Sequence, residues 1–372
     1  MSDYPSIRPS LNLNFARTKK LDPRITFRRS STGTYVDSDG LIKTAGINVP
    51  RFDHNPTTGE SLGLLVEEAR TNVVTYSVID ATNWTTTDGA TITANAAVAP
   101  DGTLTAALVT FPGANVPRIN RSLTVGAGTV TQTVWLKAVT GTVSIRVGNP
   151  SDYGANQTIG TTWTRVSASY ASGSNSFGIY CSSPVSAASF YAWGAQMELG
   201  SFPTSYIPTT ASTVTRSLDL ASMTGTNFSS WYNQSEGSLL TIAAFPASGT
   251  RGLAQIASNS PSSNVIGNIV VNNADPRLRV VSNSIQQAEI QSGGPYLSNS
   301  ICKLVSRFSL NDFAVCFNGG SLTFDKSGSL PIVDRLGIGR DFVSGFLNGT
   351  ISRIAYWPKR LPDAQLQALT RR

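Results

Sequence analysis

Histidine, cysteine, glutamate and charge are all scarce in this chain of 372 residues, and each shortage excludes a class of function. The single histidine, His54, and the three cysteines argue against histidine-based metal centres and zinc ribbons. Cys181, Cys302 and Cys316 are odd in number and lack paired spacing, which argues against a disulfide framework. Cys302 and Cys316 could face each other across a hairpin, but buried free thiols are the favoured reading. Charged residues make up 14%, against roughly a quarter in an ordinary soluble domain. No apolar run approaches the roughly 18 residues of a membrane span. The opening residues 1–10 lack the apolar core of a secretory signal, so the expectation is folding in a cytosol.

What is present is turn-rich and β-branched: 32 glycines, 19 prolines and abundant Ser, Thr and Asn, with 40% hydrophobic residues to build cores. That composition predicts an all-β protein of two to three domains.

Residues 1–70 differ from the rest. Pro5, Pro9, Pro23, Pro50 and Pro56 interrupt short extended pieces such as 11–15 and 24–27, with turns at 38–40 and 57–60. No apolar face here could form an independent core, so the segment reads as an extended arm ordered by docking. From 71 to 215, strand follows strand. In Val130–Lys137, residues Thr131, Thr133, Trp135 and Lys137 share one face, and Val130, Gln132, Val134 and Leu136 the other. Segments 142–147, 163–170, 188–193 and 196–199 continue the pattern, predicting an antiparallel sandwich or jelly roll closed by a proline-bearing linker at 200–208. Residues 216–372 predict a second sandwich, with strands at 238–245, 268–271, 303–308, 312–317, 335–339 and 349–357. Asn318-Gly-Gly320 marks a hairpin, and a helix begins at Pro362 with Leu366 and Leu369 on one face. Trp357 reads as structural beside that helix. The fold class is thus all-β, an N-terminal arm followed by two antiparallel sandwiches.

The net charge of +7 is not held by any one part: residues 1–70 contribute +2, 71–215 none and 216–372 +5. One basic run stands out: Arg8, Arg17, Lys19, Lys20, Arg24, Arg28 and Arg29, against Asp22 alone. Such a run suits an acidic protein surface or nucleic acid, or is simply a solvated face. No recognition helix or zinc finger accompanies it, which disfavours nucleic acid.

Three passages carry a family resemblance. Leu21-Asp-Pro-Arg-Ile-Thr-Phe27, Thr34-Tyr-Val-Asp37 and Gly63-Leu-Leu-Val-Glu-Glu-Ala-Arg-Thr-Asn72 resemble the N-terminal region of tailed-phage fibre and head-spike proteins. Segments 99–106, 134–138 and 163–167, with Gln196-Met-Glu-Leu-Gly-Ser-Phe-Pro-Thr-Ser-Tyr-Ile-Pro208, resemble carbohydrate-binding jelly rolls. Residues 346–358 with 361–369 are similar to laminin-G or concanavalin-like lectin domains. The resemblance implies a virion-surface spike or fibre assembled in the host cytoplasm. It would have an anchoring arm (1–70), a jelly roll (71–215) and a lectin-like sandwich (216–372). Its partners would be capsid, portal or tail proteins, contacted through the basic run of the arm, and host-surface polysaccharide. Homotrimers are common in such proteins; no membrane or cofactor is implied.

Sugar-binding sandwiches stack rings on aromatic faces. Trp135, Trp163 and Trp193 lie on alternating strands and read as core. Trp84, Trp231, Tyr232 and Tyr296 sit in polar, loop-like contexts and are the candidate carbohydrate-binding residues. Glycoside cleavage takes two carboxylates, and the six glutamates offer no convincing pair. Glu67 and Glu68 are adjacent and point apart, and Glu198 reads as structural. His54, in Asp53-His-Asn-Pro56, reads as a turn residue rather than a base. Asp101 alone is weak support for calcium. A non-enzymatic, metal-free adhesin is therefore expected. The alternatives are a purely structural capsid decoration protein and, less favoured, a polysaccharide depolymerase.

Overall fold

The computed structural model describes residues 4–371 apart from 151–152, 172–175, 247–248, 261, 272–274 and 342–344. The all-β expectation holds: strand pairs among the described residues are antiparallel, and helix is confined to Phe15–Thr18, Thr226–Ser229 and Asp363–Thr370. Two compact units divide the chain. The first comprises Met1–Ser30, Ala45–Glu68 and Leu218–Arg372, the second Ser31–Thr44 and Ala69–Ser217.

This division corrects the separate arm. Residues 1–70 are shared between the units, and within the first their strands are integral. Leu11–Leu13 pairs with Gly349–Trp357, and Thr26–Arg28 pairs with Leu220–Thr224. Arg51–His54 and Ser61–Val66 extend the sheet beyond Gly349–Trp357. The physical reason is spacing. Leu11, Leu13, Phe15, Leu64 and Val66 are too sparse to make a core, but all five are buried in the core of the first unit. Gly63, with φ +102°, permits this closeness; a Cβ there would lie 2.1 Å from the Ile351 carbonyl oxygen.

A buried ion cluster ties the same segments together. Asp219 accepts from Arg51 at 2.5 Å and from Arg29 at 3.1 Å, and Arg51 also meets Glu67 at 2.8 Å. The Glu67 amide donates to Asp219 at 2.9 Å. Two guanidiniums and two carboxylates balance out of contact with water, the condition under which buried charge is tolerated.

The first unit is a sandwich of two sheets. One runs in the order Thr323–Asp325, Asp312–Phe317, Cys302–Ser309, Glu236–Ala244, Gly349–Trp357, Ser61–Val66, Arg51–His54. Alternation buries both of its faces. Leu239, Leu304, Val315 and Tyr356 enter the inter-sheet core, while Leu240, Val305, Cys316 and Trp357 pack with Leu366 and Leu369 of the C-terminal helix. That helix begins at Asp363, with Pro362 as its N-cap. Cys302 and Cys316 fall on opposite faces of the sheet, because Cys316 lies opposite Val305; the three cysteines are buried free thiols. The opposing sheet has seven strands: Thr26–Arg28, Leu220–Thr224, Arg335–Ile338, Arg251–Ala257, Val265–Val271, Asp275–Ser282 and Ile285–Gln291. His54 ends a strand and is buried, so it is not a turn residue.

The second unit is a five-on-five sandwich. One sheet runs Thr164–Ala171, Thr129–Ala138, Ala188–Leu199, Ala106–Phe111, Thr91–Ala97. The other runs Gln157–Ile159, Val143–Gly148, Ser176–Cys181, Arg118–Ser122, Thr85–Thr87. Val130, Val134 and Leu136 face the core, as their alternation predicts. Gln132 joins them by donating to the Ser176 carbonyl. The pieces 188–193 and 196–199 are one strand, carried past a bulge opposite Val134 by Gly194 at φ +69°.

Candidate functional site

The loop aromatics named from sequence are structural. Trp84 is buried, edge-on to Phe177, and its indole N–H donates to the Tyr76 carbonyl at 3.0 Å. Trp231 is buried against Phe228 and Tyr356, with its N–H on Asn227 O at 2.9 Å. Tyr232 is half-buried beside them, packed on the same core. Tyr296 is buried and stacked on Phe245, with its hydroxyl donating to Phe245 O at 2.7 Å. Polar neighbours in sequence disguised these rings: each inserts into the core, and in Trp84, Trp231 and Tyr296 the polar atom reaches a backbone carbonyl.

The segment expected as a linker, 200–208, is instead a strap over the outer face of the sheet containing Ala188–Leu199. Glu198 accepts from the Thr204 amide at 2.8 Å and its hydroxyl at 2.7 Å, and Gln196 accepts from the Ile207 amide at 2.6 Å. These bonds seat Tyr206 against Trp135 and Trp193, with ring centroids 5.5 and 4.7 Å away. Asn72 holds the neighbouring backbone, donating to Ala195 O and Ile207 O and accepting from the Val74 and Met197 amides. The jelly-roll-like motif at 196–208 is therefore a fastening, and Glu198 is one of its pins.

Part of that outer face stays open. Lys137, Trp163 and Tyr191 are half-exposed there, with the Lys137 ammonium 5.9 Å from the Trp163 ring centre and 5.8 Å from that of Tyr191. Lys137 and Tyr191 are direct cross-strand partners. The Trp163 indole is fixed by donating to Val98 O at 3.1 Å. Beside it Arg165 lies 4.4 Å from the centre of the Trp135 ring, held by Thr204 O and Thr133 Oγ1. Leu108, Thr110 and Ser189, on the same face by register, are half-exposed. Reading Trp135 and Trp163 as core missed this surface. The signal was present in the alternation that set Trp135 and Lys137 on the face opposite the valines.

Some of the remaining polar candidates have structural partners. Arg29 of the basic run is buried in the ion cluster and also donates to Gly46 O and Val49 O. Arg24 pairs with Asp22 at 2.8 Å, and its hydrogen bond holds the Asp22 carboxyl below the usual range. Arg8, Arg17, Lys19, Lys20 and Arg28 are exposed. Among the carboxylates, Glu289 pairs with Arg277 at 2.8 Å and Glu68 accepts from Asn348 at 3.1 Å. Asp101 accepts from the Thr103 amide and hydroxyl, a local turn. Among the described residues no three potential metal ligands cluster.

No protein-family model and no curated protein matches the chain. Among solved structures, it is similar to the carbohydrate-binding module of a Ruminococcus gnavus sialidase, solved with α2,3-sialyllactose. That likeness has 10% identity and a TM-score of 0.34, over 39% of this chain and 88% of that one. It is also similar to a Streptococcus pneumoniae sialidase, at 12% identity and a TM-score of 0.34, and to a Trypanosoma rangeli sialidase, at 14% and 0.31. These two matches span 40% and 41% of this chain and about a quarter of the sialidases' own length.

Proposed function

We propose that this chain is a glycan-adhering protein of a virion surface, which holds polysaccharide without cleaving it. The observation that carries the reading is the Lys137 ammonium between two half-exposed aromatic rings on the open part of the sheet face, beside Leu108, Thr110 and Ser189. Aromatic faces accept the apolar side of a sugar ring, and an ammonium donates to hydroxyls or a carboxylate. The resemblance of 21–27, 34–37 and 63–72 to phage spikes and fibres supports the virion setting. The exposed basic side chains between Arg8 and Arg28 support contact with an acidic particle surface.

The test is light scattering of the full chain mixed with host-surface polysaccharide during size exclusion. A complex with undiminished polymer length is expected, and Lys137→Ala with Tyr191→Ala should weaken it at least about tenfold, roughly 1.4 kcal/mol. Shortening of the polymer would replace adhesion with depolymerase activity. The burial of Trp84, Trp231 and Tyr296 favours one rival, a decoration protein that binds no sugar. An absence of any complex would establish that rival.

A further inference from the structure

The solvent face of the seven-stranded sheet in the first unit carries a cleft of about 460 Å³ that is separate from the Lys137 surface. Strand register builds it. Thr26 and Arg28 lie beside Ser222 and Leu220, Ser222 lies beside Gly337, and Thr224 lies beside Arg335. The alternate positions Ala221, Met223, Leu336 and Ile338 enter the core, so this set points outward. Gly337 places no side chain at the middle of that row.

The chemistry of the lining is one-sided. Arg28, Arg335 and Arg340 contribute three guanidiniums, and no carboxylate lines the cleft among its described residues. The Arg28 guanidinium has no hydrogen-bond or ion-pair partner among the described residues. Arg335 donates through Nε alone, to Asp334 at 2.8 Å, which leaves both terminal nitrogens for a ligand. Ser222, Thr224 and Asn259 add neutral hydroxyl and amide groups. A guanidinium fork matches carboxylate or phosphate oxygens in pairs, and neutral donors and acceptors match sugar hydroxyls. The volume lies in the small-ligand range, larger than a lone inorganic anion fills. Among its described residues the lining holds no aromatic ring to stack a base, which disfavours single-stranded nucleic acid.

We propose that this cleft binds an acidic saccharide, with Arg28 and Arg335 on its anionic oxygens and Ser222, Thr224 and Asn259 on its hydroxyls. A uronate carboxylate and a sugar phosphate share that chemistry, so calorimetry on the full chain would compare digalacturonate, glucose 6-phosphate, inorganic phosphate and maltose. At least one acidic sugar is expected to bind, more weakly as salt rises, and maltose is not. Measured in a Lys137→Ala, Tyr191→Ala background that removes the adhesive face, Arg28→Gln and Arg335→Gln should each weaken binding about tenfold or more, which separates this site from that face. Equal binding of maltose, inorganic phosphate binding as tightly as the sugars, no acidic sugar binding at millimolar concentration, or unaltered affinity in the arginine variants would each overturn the proposal. Arg28 is exposed, so its variant decides the matter even if Arg335→Gln unfolds.

Discussion

Asp219 balances two buried guanidiniums, and its loss would leave both without an adequate counter-charge. Asp219→Asn should cost about 3–5 kcal/mol in denaturant unfolding, the scale for breaking a buried pair from one side. A change under 1 kcal/mol would mean that Glu67 alone suffices. Tyrosines offer a second handle. Burial raises the hydroxyl pKa of Tyr180 to about 12, and raises those of Tyr206, Tyr232, Tyr296 and Tyr356 as well. A hydroxyl that ionises near 10 when unfolded but resists ionisation when folded stabilises the fold fully below pH 10. That stability drains away as pH climbs toward the folded value. Ultraviolet titration should therefore show these five rings ionising together with alkaline unfolding, after the exposed tyrosines. The burial of Trp84, Trp231 and Tyr296 was hidden at this scale, because local polarity says where a ring sits in sequence and nothing about what it packs on.

Strands were the most legible elements. The alternation in Val130–Lys137 assigned both of its faces, and the strands at 312–317 and 349–357 have the expected bounds. Breaks were harder to read than runs. Gly194 looked like the end of a strand, yet it is the bulge that lets Ala188–Leu199 continue, with Trp135 packed where a Cβ would lie 2.8 Å away. Gly194→Val should cost about 2 kcal/mol or more through its positive φ. It should also weaken the near-ultraviolet dichroism of the Trp135–Trp193–Tyr206 group. A variant with native stability and dichroism would show that the bulge tolerates a side chain. The strap at 200–208 was misread for a related reason: its prolines signal extended chain, but only the partners of Glu198 and Gln196 reveal what it lies against.

At the scale of the whole molecule, composition identified the class and the sandwiches, and what escaped was which segments belong together. Long-range pairings such as Leu11–Leu13 with Gly349–Trp357 leave no local pattern. Removing residues 1–70 should consequently unfold the first unit rather than release it, since Leu64, Val66, Arg29, Arg51 and Glu67 go with them. A 71–372 fragment with a cooperative melt and native-like β dichroism would restore the idea of a dispensable arm.

The pairing of residues 11–13 with 349–357 also bears on synthesis. Residues of the second unit have all been made once the ribosome passes Ser217, so that sandwich has its whole complement of strands while the rest is still being translated. The first unit must hold residues 26–28 unpaired until Leu220–Thr224 is made, and residues 11–13 and 61–66 without their Gly349–Trp357 partner until nearly the end. Its earliest strands wait on its last one, and during that interval their apolar side chains are the part of the nascent chain in greatest need of protection from aggregation.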